Sequence, residues 1–257
     1  MNKSKPLLSS SLGKKLVMSL TGLFLCTFLI VHLIGNLQLF YNDQGKAFND
    51  YAYFMTHFTP IKVVSYLLYA SIVIHAIYAL VITIQNKKAR PVGYAVYHGS
   101  ANSAWNSRNM GILGTVLLVF IVTHMSNFWW KYHNDDVPYV EYRTNLTTQE
   151  ITATELIAGE FTDYVKYVDS DIEILRAKDL YKQVQFAFKN WILVVFYVIA
   201  MAALSFHLIH GFKSAFQTLG WDHKKYAPLI RFIGIWLFGV AIPIGFAAMP
   251  LYFYFAS

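Results

Sequence analysis

The stretch from Trp191 to Phe216 reads WILVVFYVIAMAALSFHLIHGFKSAF. After Trp191 the first fixed charge is Lys213. The run is therefore apolar for long enough to cross roughly 30 Å of hydrocarbon at about 1.5 Å per residue. Its polar exceptions include Ser205, His207 and His210. Ionisable side chains are expensive inside a bilayer, so each such histidine is a candidate functional group.

Four more stretches have the same character: Leu16–Phe40, Val63–Gln85, Met110–Trp130 and Leu229–Phe255. Together the five predict an all-α membrane protein, a single five-helix bundle over residues 1–257. The first is no cleavable signal peptide, because its apolar part is too long and no small-residue cleavage site follows. Pro243 and Pro250 should kink the last span without ending it.

Composition agrees. Of 257 residues, 56% are hydrophobic, 17% aromatic and only 14% charged. Disorder needs the opposite balance, and a soluble domain carries about a quarter charged residues. The net charge of +7 does not point to nucleic acid, because the basic residues sit in short clusters between apolar runs rather than on a polar surface. Cys26 is the single cysteine, which excludes a disulfide or a cysteine-based metal site within the chain.

Sorted by loop, the charge becomes a topology signal. Lys3, Lys5, Lys14, Lys15, Lys87, Lys88, Arg90, Arg108, Lys213, Lys224, Lys225 and Arg231 share one side with Asp222 alone, for +11 there and −4 on the other side. The basic side is expected to face the cytoplasm, with the N-terminus inside and the C-terminus outside. The outer segment from Tyr132 to Lys189 holds eleven of the fourteen acids. It reads as a solvated cap, with Glu150–Tyr181 as short amphipathic helices over the outer face. The glycosylation sequon at Asn145-Leu-Thr147 reads as chance.

Five histidines fall within spans: His32, His75, His124, His207 and His210. Helix rise gives their depths. His32 and His124 lie roughly 24 and 21 Å from the inner ends of their spans, in the outer half. His75 and His207 lie roughly 18 and 24 Å from the outer ends of theirs, in the inner half. The result is two pairs, each drawn from two helices at one level. A haem wedged in a bundle can take one imidazole from each side, and with both axial positions filled it passes electrons rather than binding oxygen. A single tetrahedral zinc site does not suit two separated pairs. Interhelical hydrogen bonding is the plainer alternative. Gly13, Gly22, Gly35, Gly111, Gly114 and Gly211 would allow close approach of a macrocycle or a helix. Ser19, Thr27, Ser71 and Ser205 could bond imidazole N–H groups or propionates, or simply the preceding helical turn.

Five spans with one such histidine on each of the first four resemble the dihaem cytochrome b membrane subunit of the succinate dehydrogenase and fumarate reductase family. The local matches are His32-Leu-Ile-Gly-Asn-Leu37, Ser107-Arg-Asn-Met110 and His207-Leu-Ile-His-Gly-Phe-Lys-Ser-Ala-Phe-Gln-Thr-Leu-Gly220. The resemblance implies two haem b groups, the outer held by His32 and His124, the inner by His75 and His207. His207 is preferred over His210 because the ligand in this family stands four residues before the glycine, here Gly211. His210 and Arg108 become propionate contacts. The family further implies a flavoprotein with covalent FAD and an iron–sulfur subunit on the cytoplasmic face of a bacterial inner membrane. It also implies a membrane quinone, menaquinone being common in the dihaem branch. Asp50 and His57, in the aromatic-rich stretch Ala47–Phe58, are the quinone-site candidates. Some relatives carry a glutamate two residues before the inner ligand; here that position is Ser205, which puts proton transfer by that route in doubt. A dihaem cytochrome b of a hydrogenase, formate dehydrogenase or nitrate reductase is the neighbouring alternative. A haem-free transporter is the distant one, although the repeat symmetry usual in transporters is not evident.

Overall fold

The computed structural model describes residues 10–89, 91–92, 101, 103–157, 159–161 and 163–256. Lys3, Lys5 and Arg90, which count toward the inner charge, lie outside the described residues.

Among the described residues, five helices are long and apolar enough to cross a membrane: Ser11–Phe40, Thr59–Lys88, Met110–His133, Trp191–Thr218 and Ala227–Ala256. They contain the five expected spans, each extended by a few residues. In chain order, α1 is Ser11–Asn36, closed by a 3-10 turn at Leu37–Phe40; α2 is the short Lys46–His57; α3 is Thr59–Lys88. The third span, α4, is Met110–His133; α5 is Leu180–Phe188; α6 is Trp191–Thr218; α7 is Ala227–Ala256. Large apolar side chains point outward on every span. Ile112, Val122 and Ile244 are 66%, 63% and 63% exposed. In water that would be a severe liability; against acyl chains it is the expected surface. The chain is an integral multi-pass membrane protein.

The chain forms two compact units. The first comprises Met1–Ile30, Tyr66–Phe120 and Val198–Ala247; the second comprises Val31–Ser65, Ile121–Tyr197 and Ala248–Ser257.

In the first unit, Leu113 and Leu117 of α4 pack with Ala203 of α6, flanked by Met110, Val116 and Leu204. Helices α6 and α7 approach closely at Gly239, where an added Cβ would lie 2.4 Å from Ile209 Cγ1. Helix α7 is π-helical over Ile233–Ala241 and resumes as an α-helix at Ile242. Pro243 has no N–H to donate within the span. The Ser205 hydroxyl of α6 donates to the Gly239 carbonyl of α7. The prolines leave the span unbroken, as expected.

The second unit corrects the expectation for the acidic segment. Glu150–Tyr181 does not form short helices. It carries three strands of a four-stranded antiparallel sheet: β1 Tyr139–Asn145, β2 Ile151–Leu156, β3 Val165–Asp169 and β4 Ile172–Lys178, in the order β2-β1-β4-β3. The physical reason is the period. Ile151-Thr-Ala-Thr, Val165-Lys-Tyr-Val and Ile172-Glu-Ile-Leu are rich in β-branched and aromatic residues and alternate, a pattern of strands rather than of a helical stripe. The β3–β4 turn is a two-residue loop with Ser170 at φ 57°, the tight connection that favours a hairpin.

Val140, Tyr142 and Leu175 are buried with Ile151 and Tyr164 around them. Helices α2 and α5 are tied to this sheet. Lys46 of α2 reaches Glu173 at 2.5 Å and Thr144 at 2.6 Å. Asn49, fully buried, donates to the Tyr142 hydroxyl and to Asp179 Oδ1, both at 2.9 Å, and its own oxygen accepts from the Tyr181 N–H at 3.0 Å. Asp179 also caps α5 by accepting from the Lys182 N–H. Gly45, at φ 88°, opens α2 in the left-handed region, and a Cβ there would lie 2.2 Å from the Tyr181 ring. A side chain at 45 would be both strained and in collision.

Glu141 is buried between Arg143 and Arg176, accepting from each Nε at 2.6 Å. Burial by itself would raise its carboxyl pKa, but the two guanidinium groups outweigh burial and hold it below the ordinary 4.5. A carboxyl depressed on folding contributes stability above its unfolded pKa and loses it as pH falls through the folded value. The sheet should therefore weaken below about pH 4.5, read as faster proteolysis within 139–178. Glu141→Gln should be weaker at neutral pH and lose that acid dependence. A wild-type sheet that is equally resistant at pH 3 and pH 7 contradicts this.

Candidate functional site

The five intramembrane histidines are placed by four helices. Within the first unit, His75 of α3 faces His207 of α6, with ring centroids 6.3 Å apart and planes at 63°. Within the second unit, His32 of α1 faces His124 of α4, with centroids 5.8 Å apart and planes at 87°. Two imidazoles that bind one metal ion from opposite sides, each at about 2.0 Å, have their centroids about 6 Å apart. Both pairs have the spacing that two imidazoles on one shared metal ion would have. It is the His207 ring that faces His75; His210, on the next turn of α6, is half-buried beside open space at Gly211.

The Nδ1 atoms of the four rings differ in their partners. His75 Nδ1 lies 2.9 Å from Thr21 Oγ1 of α1. His32 Nδ1 lies 3.3 Å from Asn36 Nδ2, whose stronger bond is to the His32 carbonyl at 2.7 Å. His124 Nδ1 lies 3.4 Å from the Tyr197 hydroxyl, and its ring is bordered by Phe128 and Tyr197. His207 Nδ1 is buried and, among the described residues, has no hydrogen-bond partner. An unpaired buried nitrogen costs about 1–3 kcal/mol. The facing imidazoles of each pair fit a haem between them, and the second pair is bordered by the Phe128 and Tyr197 rings.

Local backbone serves the second pair. Immediately after His124, α4 widens into a π-helical turn over Met125–Trp130, a feature concentrated at functional sites. The Asn127 carbonyl accepts from Gln183 Nε2 of α5 at 3.1 Å, so α5 is tied to the turn that follows His124.

The other expected site residues are placed as follows. Arg108 ends a short helical turn, Trp105–Arg108, and its guanidinium donates to the Ser103 carbonyl. Asp50 accepts from the Tyr164 hydroxyl at 2.7 Å and from Lys166 Nζ at 2.5 Å. Burial, then the bond to Asp50, raise the Tyr164 pKa, so its hydroxyl stays a donor. His57, exposed at the end of α2, stacks on Tyr53 at 4.0 Å, and Tyr53 stacks on Tyr164 at 3.6 Å. One aromatic stack therefore links the two quinone candidates.

Ser19 and Thr27 bond the preceding turn, at the carbonyls of Lys15 and Leu23. Ser205 is committed to Gly239. Thr21, which is not among the hydroxyls singled out from the sequence, places its Oγ1 within 2.9 Å of His75 Nδ1. Depth would have found it: Thr21 lies about three turns inward of His32 on α1, near the level of His75. No family model, curated protein or solved structure matches the chain.

Proposed function

We propose that the chain is the dihaem cytochrome b membrane subunit of a succinate:quinone oxidoreductase. It would conduct electrons between a cytoplasmic iron–sulfur subunit, itself served by a flavoprotein with covalent FAD, and a membrane quinone such as menaquinone. The observation that carries this is the pairing of His75 with His207 and of His32 with His124, one pair in each unit and each spaced for a shared metal. A haem b held by imidazole on both faces has no open coordination position and exchanges single electrons.

The chain's own residues supply the setting. His75, His207, His32 and His124 fix the two haem positions. Exposed apolar side chains on the spans keep them in lipid, and the apolar and aromatic walls keep water from the iron. The clustered basic residues orient the N-terminus toward the cytoplasm of a bacterial inner membrane and leave the C-terminus outside. Arg108 and His210 lie at the inner end as propionate contacts. Quinone is served from α2, where His57 is exposed and its stack through Tyr53 and Tyr164 ends on Asp50.

The test is purification from native membranes. The expected result is a b-type reduced-minus-oxidised spectrum, about two haems per chain, and a co-purifying subunit with covalent flavin. The same spectrum without flavin would point instead to the cytochrome b of a hydrogenase, formate dehydrogenase or nitrate reductase. Absence of haem would sink both readings.

A further inference from the structure

We propose that Thr21 is a positioning residue for His75, fixing which imidazole nitrogen faces the iron and so setting the potential of the haem in the first unit. This rests on the dihaem reading above.

Donors and acceptors decide the tautomer. The Thr21 hydroxyl has a single proton. It lies 2.7 Å from the Val17 carbonyl and 3.3 Å from the Met18 carbonyl, both of which can only accept. The proton goes to Val17. The same oxygen is 2.9 Å from His75 Nδ1, and with its proton spent it can only accept there. His75 Nδ1 must then carry the hydrogen, which leaves Nε2 with its lone pair. A side chain at position 22 would come within 3.5 Å of His75 Cε1, so the ring lies against the bare backbone of Gly22 beside Thr21.

An acceptor on the far N–H fixes the tautomer and orientation of a ligand imidazole and raises its basicity. A more basic imidazole favours ferric over ferrous iron and lowers the potential. The opposite ligand lacks this support, since His207 Nδ1 is buried with no partner among the described residues. The two imidazoles of one pair are therefore unequal. Thr21 makes His75 the stronger donor, although it touches neither iron nor macrocycle.

The experiment compares wild type, Thr21→Val and Thr21→Ser in the membrane-bound complex, by redox titration of the b bands and by the low-spin ferric EPR signals. Thr21→Val keeps shape and removes the acceptor. It should raise the potential of one haem and shift that haem's signal, leaving the other haem at its wild-type values. Thr21→Ser restores the hydroxyl and should match wild type. If Thr21→Val does not assemble, Thr21→Ala takes its place, and haem retained in Thr21→Ser but lost from both others also supports the proposal. Two haems at wild-type potentials in Thr21→Val, or a shift in Thr21→Ser as large as in Thr21→Val, overturns it. A wild-type complex without haem overturns the dihaem reading itself, a failure distinct from two haems that ignore Thr21.

Discussion

Replacing His75 by alanine is expected to remove one haem and leave the other, so that haem content falls from about two to about one per chain. The reason is that each pair lies within its own unit. His75 and His207 face each other at 6.3 Å, and neither ring contributes to the His32–His124 pair. With one axial ligand gone, a haem loses a coordination bond that the apolar wall cannot replace. His32→Ala should show the reverse, losing the haem of the second unit. His210→Ala should keep both, because the ring that meets His75 belongs to His207. Pyridine haemochrome assay of purified variants reads the ratio, and potentiometry identifies which haem remains. Two haems in both His75→Ala and His32→Ala would dispose of the pairing.

The second large effect is expected at Asn49. Asn49→Leu removes two donors and one acceptor from a site with no water access. The Tyr181 N–H, the Tyr142 hydroxyl oxygen and Asp179 Oδ1 each lose a partner. Asp179 Oδ1 keeps its bond from the Lys182 N–H and the Tyr142 hydroxyl keeps its bond to the Gln44 carbonyl, so the stranded Tyr181 N–H sets the loss at about 1–3 kcal/mol. It should also grow with pH. Burial raises the Asp179 pKa, and the bonds from Lys182 and Asn49 only partly offset that. A carboxyl raised on folding destabilises the fold as pH rises through its folded value. Without Asn49 the value rises further. Thermal unfolding in detergent should find the variant closest to wild type at mildly acidic pH and furthest from it at neutral pH. A variant with wild-type stability at pH 7 contradicts the network.

What the sequence reveals here depends on the length over which each signal is summed. A span integrates some twenty apolar side chains, so all five helices were legible to within a few residues. Histidine depth follows from helix rise alone, and the structure brings together His75 with His207 and His32 with His124 as the depths paired them. The sheet is built of strands five to seven residues long. A mild helical pattern masked it because Val165–Asp169 and Ile172–Lys178 are too short for period two to outweigh the background. Partners from distant segments were not legible at all. Nothing near Asn49 announces Tyr142 or Asp179, and nothing near Thr21 announces His75. The π-helical turn after His124 likewise receives a bond from Gln183, which lies in another segment of the sequence.

The Ser205 hydroxyl carries a further consequence. It ties α6 to α7 at Gly239, where the bare backbone of α7 lies against Ile209. Positions 205 and 239 therefore constrain each other. A residue at 205 keeps the tie only if it brings a proton to that carbonyl, and a side chain at 239 would press on Ile209 and move the two backbones apart. Serine is small enough to sit at that crossing and still carries the proton it needs.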